Sequence, residues 1–375
     1  MGYPVDFEKG ELNRGNWKRI KKCMKKAEAG ESIKVGFLGG SITQGSLSST
    51  PETCYAYLVY KWWKEKFPQS QVEYINAGIG GTTSQFGVSR VEQHLLQKKP
   101  DFILIEFAVN DDNNEFFRET YEGLIRKTYG DVSAPAVLLM NNVRYDDGSS
   151  AEDQHVVVAR AYQLPMVSMK STILPPVKSG QIKNREITPD DLHPNDDGHA
   201  LVAKVITTFL EKIYQDRDTE EADPDFNGKT LPNPITANEY ENSVRYKNYN
   251  STPVLNGFEK DPGKKKEFLD IFSGGFIASN VGDEITFDIE ATGIAIQYRK
   301  TIHRPTPVAE VIVDGDESTR TVLDGNFDED WGDCLFIQTI TRHTGLKKHH
   351  VQIRIIENHE DDQVPFYLVS VIGSK

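Results

Sequence analysis

The stretch Ile33–Ser46, IKVGFLGGSITQGS, decides how the first half of the chain is read. An apolar run ends abruptly on two glycines, and Ser41 follows them. Such a run has the look of a strand buried on both faces, turning sharply into a helix. In a doubly wound sheet, ligands bind beyond the carboxyl ends of the strands, which is where Ser41 falls. A phosphate loop is excluded because Gly45 is followed by Ser46 and not by Lys. GxGxxG is absent too, and GxSxG fails because Thr43 stands at the second glycine. Alone, GGSIT fits a tight turn as well as it fits a nucleophile held out for chemistry.

Working outward, the same grammar continues to about Ile213. KVGFL, VEYINA, DFILIEFAV, AVLLMN and MVSM read as short buried strands. Between them, TCYAYLVYKWWKEKF, QFGVSRVEQHLLQKK, a stretch near Glu115–Tyr129 and AEDQHVVVARAYQ carry helical periodicity. A last helix from about Asp196 sets Leu201, Val202, Val205, Ile206, Phe209, Leu210 and Ile213 on one face. Strands alternating with helices imply a parallel sheet covered on both sides, because parallel neighbours need crossovers.

At Asp216–Pro234, DRDTEEADPDFNGKTLPNP, the composition turns acidic and rich in Pro, Asn and Gly, and predicts a linker. Beyond it the period changes to two. Ile285, Phe287 and Ile289 alternate with polar residues, as do Ile294, Ile296, Tyr298 and Val351, Ile353, Ile355. Turns recur at VGDE, ATG, VDGDE and HTGLKKH. This predicts an all-β sandwich. The expected organisation is 1–215 as an α/β domain, 216–234 as a linker and 235–375 as the sandwich.

The 375 residues suffice for two domains, and 38% hydrophobic content is enough for two cores. Lys and Arg number 43 against 56 Asp and Glu, a net charge of −13 that argues against nucleic acid or an anionic membrane as partner. No window approaches the roughly 18 apolar residues of a membrane span. The first thirty residues are basic without an apolar core, so no secretory signal is expected and the location expected is cytoplasmic. Lys18–Lys26 reads as a docked helix, with Trp17, Ile20, Met24 and Ala27 inward and its lysines in solvent. Cys23, Cys54 and Cys334 form no framework and read as small apolar residues in a reduced compartment. His343, His349, His350 and His359 lack metal-ligand spacing and are expected at the surface; no metal or cofactor is expected.

Three further blocks accompany Ser41. NAGIGGTTS, Asn76–Ser84, ends the second strand with glycines that either let backbone N–H groups approach a ligand or permit a tight loop. FAVND, Phe107–Asp111, ends the third strand on Asn110, by default a turn former or helix cap. DDLHPNDDGHALVA, Asp190–Ala203, sets His193 three residues after Asp190, with Asp196 available to cap the last helix. Together the blocks meet the needs of one reaction. A serine needs an imidazole to take its proton, the imidazole needs a carboxylate to fix its tautomer, and the oxyanion needs donors already in place.

In that order, the blocks resemble the SGNH (GDSL-type) hydrolase family over roughly Ile33–Ile213. The resemblance implies a three-layer α/β/α, flavodoxin-like hydrolase domain. It implies a catalytic triad of Ser41, Asp190 and His193 and an oxyanion hole of Ser41, Gly81 and Asn110. Two positions depart from the family pattern: Gly40 stands for the Asp of Gly-Asp-Ser, and Ala108 for the Gly of G-x-N-D. Both point away from the lipase-like branch and towards its sugar-esterase relatives.

In the second half, Trp331 is the one tryptophan, inside LDGNFDEDWGDC, Leu323–Cys334. An aromatic ring among acids can stack on a sugar while nearby Asp and Asn bind hydroxyls, so Trp331, Asp330 and Asn326 are candidate substrate-binding residues. The same acids could hold Ca²⁺, or the ring could pack against protein. The whole chain is similar to carbohydrate esterases that deacetylate β-mannan, whose second domain, jelly-roll-like, resembles a family 35 carbohydrate-binding module. The expected function is therefore carbohydrate O-acetylesterase, a carboxylic ester hydrolase acting on acetylated mannooligosaccharides. The rivals are a lysophospholipase or thioesterase, a xylan acetylesterase and a silent sugar-binding protein.

Overall fold

The computed structural model describes residues 2–263, 269 and 271–375. The chain forms two compact units, Met1–Asn238 and Glu239–Lys375.

The first unit contains the strands Glu11–Asn13 (β1), Ile33–Gly39 (β2), Val72–Gly78 (β3), Phe102–Glu106 (β4), Ala136–Asn141 (β5) and Met166–Ser168 (β6). Its helices are Lys18–Glu28 (α1), Ser41–Gln44 (α2), Tyr55–Lys66 (α3), Ser84–His94 (α4), Glu115–Tyr129 (α5), Glu152–Ala161 (α6), Leu174–Lys178 (α7), Asn184–Ile187 (α8) and Asp196–Gln215 (α9). The sheet runs β1-β6-β5-β4-β2-β3, with β2 through β6 parallel and β1 antiparallel on β6. Counting the parallel strands alone, the order is the flavodoxin-like 2-1-3-4-5, and it reverses between β2 and β4. Alternate strand residues split the core. Val35, Phe37, Phe102, Leu104, Leu138 and Met140 pack under α1, α3 and α9, where Trp17 meets Phe209 edge to face with centroids 5.8 Å apart. On the other face α4, α5 and α6 pack in sequence.

Two expectations about this unit fail for the same electrostatic reason. Lys21 is only 5% exposed and pairs with Asp216 at 2.7 Å, so the lysines of α1 are not all in solvent. Asp216–Pro234 is not a free linker but folds back on the first unit. Glu221 accepts from Arg14 at 2.8 Å, and Asp223 takes Lys18 at 2.6 Å. Further along, Glu122 accepts the backbone N–H groups of Ile235 and Thr236. The acidic run neutralises the basic run, and the boundary moves to between 238 and 239.

The second unit is all-β, from Val244–Tyr246 (β7), Val254–Asn256 (β8), Glu259–Lys260 (β9), Phe276–Ala278 (β10), Glu284–Ala291 (β11), Gly293–Lys300 (β12), Val308–Val313 (β13), Asp316–Asp324 (β14), Cys334–Thr341 (β15), Lys347–Glu357 (β16) and Phe366–Ser374 (β17). One antiparallel sheet runs β15-β12-β17-β10-β9 with β7 also on β17, and the other runs β14-β13-β16-β11-β8. Ile285 pairs with Ile353 and Phe287 with Val351, and both sheets contribute to one apolar core. The same register puts His349 opposite Ile289 on the inner face, where it is 1% exposed. The surface expectation for His349 is therefore wrong. Its ring nitrogens meet Asp314 Oδ2 at 3.0 Å and Thr344 Oγ1 at 2.9 Å. All three cysteines are free and buried.

Candidate active site

Ser41 is the first residue of α2, directly beyond the C-terminal end of β2. Asn110 lies in the turn after β4, on the other side of the point where the strand order reverses. A crevice opens at such a point because the two crossovers leave in opposite directions. Ser41 is 7% exposed, and its Oγ lies 2.7 Å from His193 Nε2. His193 Nδ1 is 2.5 Å from Asp190 Oδ2. The other carboxylate oxygen of Asp190 accepts the backbone N–H groups of His193 and Leu192, at 2.6 and 3.1 Å. Partial burial works to raise the Asp190 pKa, but the hydrogen bonds from His193 and Leu192 outweigh it and hold the carboxyl below its usual range.

The loop carrying His193 is fixed by the start of α9. Asn195, not Asp196, caps the helix, its Oδ1 accepting from Gly198 N–H at 3.0 Å. Asp196 instead accepts from Ser49 through N–H and Oγ, tying the loop to the segment after α2. His199 is a second ring close by. Its Nδ1 faces Tyr55 N–H at 3.3 Å and its Nε2 faces Ser46 O at 3.3 Å, which leaves no nitrogen for Ser41. Burial pulls its pKa down to about 4.

The glycine block and Asn110 converge on Ser41. Gly80 N–H is taken by Gln44 Oε1 at 2.7 Å, whereas Gly81, at φ +66°, and Ser41 make no hydrogen bond through N–H among the described residues. That difference favours Gly81 over Gly80 as a donor. Asn110 Oδ1 is buried without a partner and lies so close to Gly40 that a Cβ there would be 2.3 Å away. The turn holding Asn110 is pinned by Glu106, whose Oε1 accepts Ala108 N–H at 3.0 Å. Burial raises the Glu106 pKa to about 8.

Sequence reasoning passed over three groups here. Gln44 seals Gly80. Arg90 is wholly buried on α4 and donates to Gly39 O and Ala77 O, near the ends of β2 and β3. Its signal was a charge four residues after Phe86 and one before Val91, in phase with the apolar residues of α4. Asp111, beside Asn110, is the third.

In the second unit, Trp331 is 56% exposed, stands edge-on to Phe327 with centroids 5.0 Å apart and donates Nε1–H to Glu329. Asp330 is exposed and makes no hydrogen bond to the described residues. Asn326 is half-buried in the same loop. Its Oδ1 accepts Thr306 N–H, and its Nδ2 donates to Thr306 O and Asp324 Oδ1, so the amide braces its own loop. Among the described residues, no group of three or more His, Cys, Asp or Glu could hold a metal ion, and no helix is long and apolar enough to cross a membrane.

A flavodoxin-like sheet with a Ser–His–Asp array at its switch point has the form of an acyl-transfer enzyme. Residues 37–201 match the GDSL-like Lipase/Acylhydrolase family. Thioesterase 1/protease 1/lysophospholipase L1 of Escherichia coli strain K12 is 28% identical over 197 residues, covering 50% of this chain and 87% of that protein. Among solved structures, a two-domain esterase (CEX) active on acetylated mannans is 56% identical, with a TM-score of 0.95 and 99% of each chain covered. The same esterase co-crystallized with mannopentaose matches at 55% identity and a TM-score of 0.94, over 100% of this chain and 99% of that one. The first unit thus carries a GDSL-like lipase/acylhydrolase domain over residues 37–201, and the protein is a carboxylic ester hydrolase.

Proposed function

We propose that the protein removes O-acetyl groups from β-mannan-derived oligosaccharides, with Ser41 as nucleophile. The observation that carries the chemistry is the 2.7 Å contact of Ser41 Oγ with His193 Nε2, on a ring whose other nitrogen faces Asp190. The substrate class is supported by the likeness, across both units, to an esterase active on acetylated mannans.

His193 Nε2 takes the Ser41 proton as Oγ bonds to the acetyl carbonyl carbon. The carbonyl oxygen becomes an oxyanion and accepts from Ser41 N–H, Gly81 N–H and Asn110 Nδ2. As the tetrahedral species collapses, the C–O bond to the sugar breaks and the sugar oxygen leaves with the proton from His193. Water then gives its proton to the same ring and attacks the acetyl-enzyme, and Ser41 recovers a proton as acetate departs. Asp190 holds the ring in orientation and stabilises its charged form.

The second unit serves as a carbohydrate-binding module, with Trp331 as the stacking surface for a sugar ring. Acetate release from O-acetylated mannooligosaccharides and acetylated xylooligosaccharides tests the whole reading. Release from mannan fragments that disappears in Ser41→Ala supports it. Cleavage of long-chain p-nitrophenyl esters with no acetate release from either glycan overturns the substrate class and leaves the serine chemistry standing.

A further inference from the structure

The reaction as derived leaves one buried pair unused. Asp111 follows Asn110 directly, and its carboxylate is shut off from solvent. Asp111 Oδ1 accepts Ser84 N–H at 2.8 Å, at the first turn of α4, and Oδ2 meets His155 Nε2 at 3.0 Å. His155 is itself wholly buried on α6, stacked on Tyr121 of α5 with centroids 3.6 Å apart and planes 6° apart. Its Nδ1 faces Asn141 Oδ1 at 3.3 Å, at the end of β5. The Asn141 amide nitrogen is turned to Met166 Sδ, so the ring meets its oxygen.

These contacts join the segments that carry the two outlying oxyanion donors. Gly81 stands three residues before Ser84, and Asn110 one residue before Asp111. A single carboxylate therefore bridges the end of the glycine block to the Asn110 turn, and His155 fixes that carboxylate against α5, α6 and β5. Ala151 N–H, at the start of α6, also donates to Ala108 O at 2.7 Å and anchors the same turn. Buried ionisable pairs add little stability over well-packed apolar groups. What this pair supplies is direction: two hydrogen bonds from one planar group, aimed at two chain segments.

We propose that Asp111 and His155 are positioning residues that set Asn110 at its working distance from Gly81, and so shape the oxyanion pocket without touching substrate. The proposal rests on the reading of Ser41 as an acyl-transfer nucleophile. Its logic is that displacing a catalytic donor by about 1 Å costs up to about 10²-fold in rate.

The test is turnover of p-nitrophenyl acetate by the full chain. Asp111→Ala should lower kcat by about 10²-fold with KM within about twofold. Asp111→Asn keeps an oxygen to accept from Ser84 N–H and a polar group of the same shape beside His155 Nε2, so it should keep kcat within about tenfold of wild type. In an Asn110→Ala background, the Asp111→Ala loss should shrink to about twofold, because the group being positioned is gone. His155→Phe keeps the stack on Tyr121 and carries the same cycle if Asp111→Ala fails to fold. Losses that multiply in full in the Asn110→Ala background overturn the proposal, as does an Asp111→Asn variant as slow as Asp111→Ala. Wild-type turnover in Ser41→Ala overturns instead the reading of Ser41, which separates the two failures.

Discussion

Gly40 and Asn110 share a space that admits no third atom: a Cβ on residue 40 would lie 2.3 Å from Asn110 Oδ1. The family pattern carries Asp at this position, and here the amide of Asn110 occupies the room that side chain would need. Gly40→Ala should therefore push the Asn110 side chain aside and lower kcat by about 10²-fold, the effect of losing one oxyanion donor. The melting temperature should move little, because the displaced atom is the tip of one side chain. An unchanged kcat would show that Asn110 Nδ2 is not a donor to the oxyanion.

Asp190 accepts from the His193 ring and from two backbone N–H groups of its own loop. Asp190→Asn turns an acceptor into a donor at Nδ1 and favours the wrong tautomer. The expected loss in kcat is about 10⁴-fold. Steady-state kinetics on p-nitrophenyl acetate checks this, and a loss under tenfold would remove Asp190 from the triad.

Glu106 gives a pH signature of opposite sense to the usual carboxylate. Its folded pKa is raised by burial from 4.5 to about 8, so between those values the folded chain holds a proton that the unfolded chain has released. Stability contributed by this group is thus full below pH 4.5 and falls as pH rises towards 8. Glu106→Gln removes that dependence. Thermal melts across the range should show wild type losing ground to the variant as pH rises, and parallel curves would contradict the raised value.

Trp331 offers a test of the sugar contact that leaves the ester chemistry alone. Trp331→Ala should raise KM for acetylated mannooligosaccharides about fivefold, the equivalent of about 1 kcal/mol of stacking. Turnover of p-nitrophenyl acetate should not change. Equal effects on both substrates would make Trp331 a structural residue.

Much of the fold was legible because buried parallel strands write themselves as unbroken apolar runs, and the first three of the five runs here end on a block with unusual chemistry. Ser41, Asn110 and His193 could be read in this way, one strand end or loop at a time. What escaped was decided by partners distant in sequence. β1 is three residues, ELN, with no pattern of its own, and it exists because β6 offers an edge. Lys21 is buried because an acidic segment 195 residues later folds back on it. His349 was misjudged by its residue type, although the alternation of Val351, Ile353 and Ile355 had already put position 349 inside. Asp111 and His155 meet across 44 residues, and nothing local to either announces the other.

The separation of Ser41 from His193, 152 residues, has a consequence for anyone handling this protein. Local helix and strand formation does not by itself bring the two together; the imidazole reaches the serine only when α9 and its preceding loop dock on the core. Bulk spectroscopic measures of helix and sheet will therefore overstate the fraction of competent molecules in a stressed sample. Covalent titration of Ser41 with a fluorophosphonate counts only chains in which the last helix has seated, and so serves as the stricter assay of storage, refolding and sequence variants.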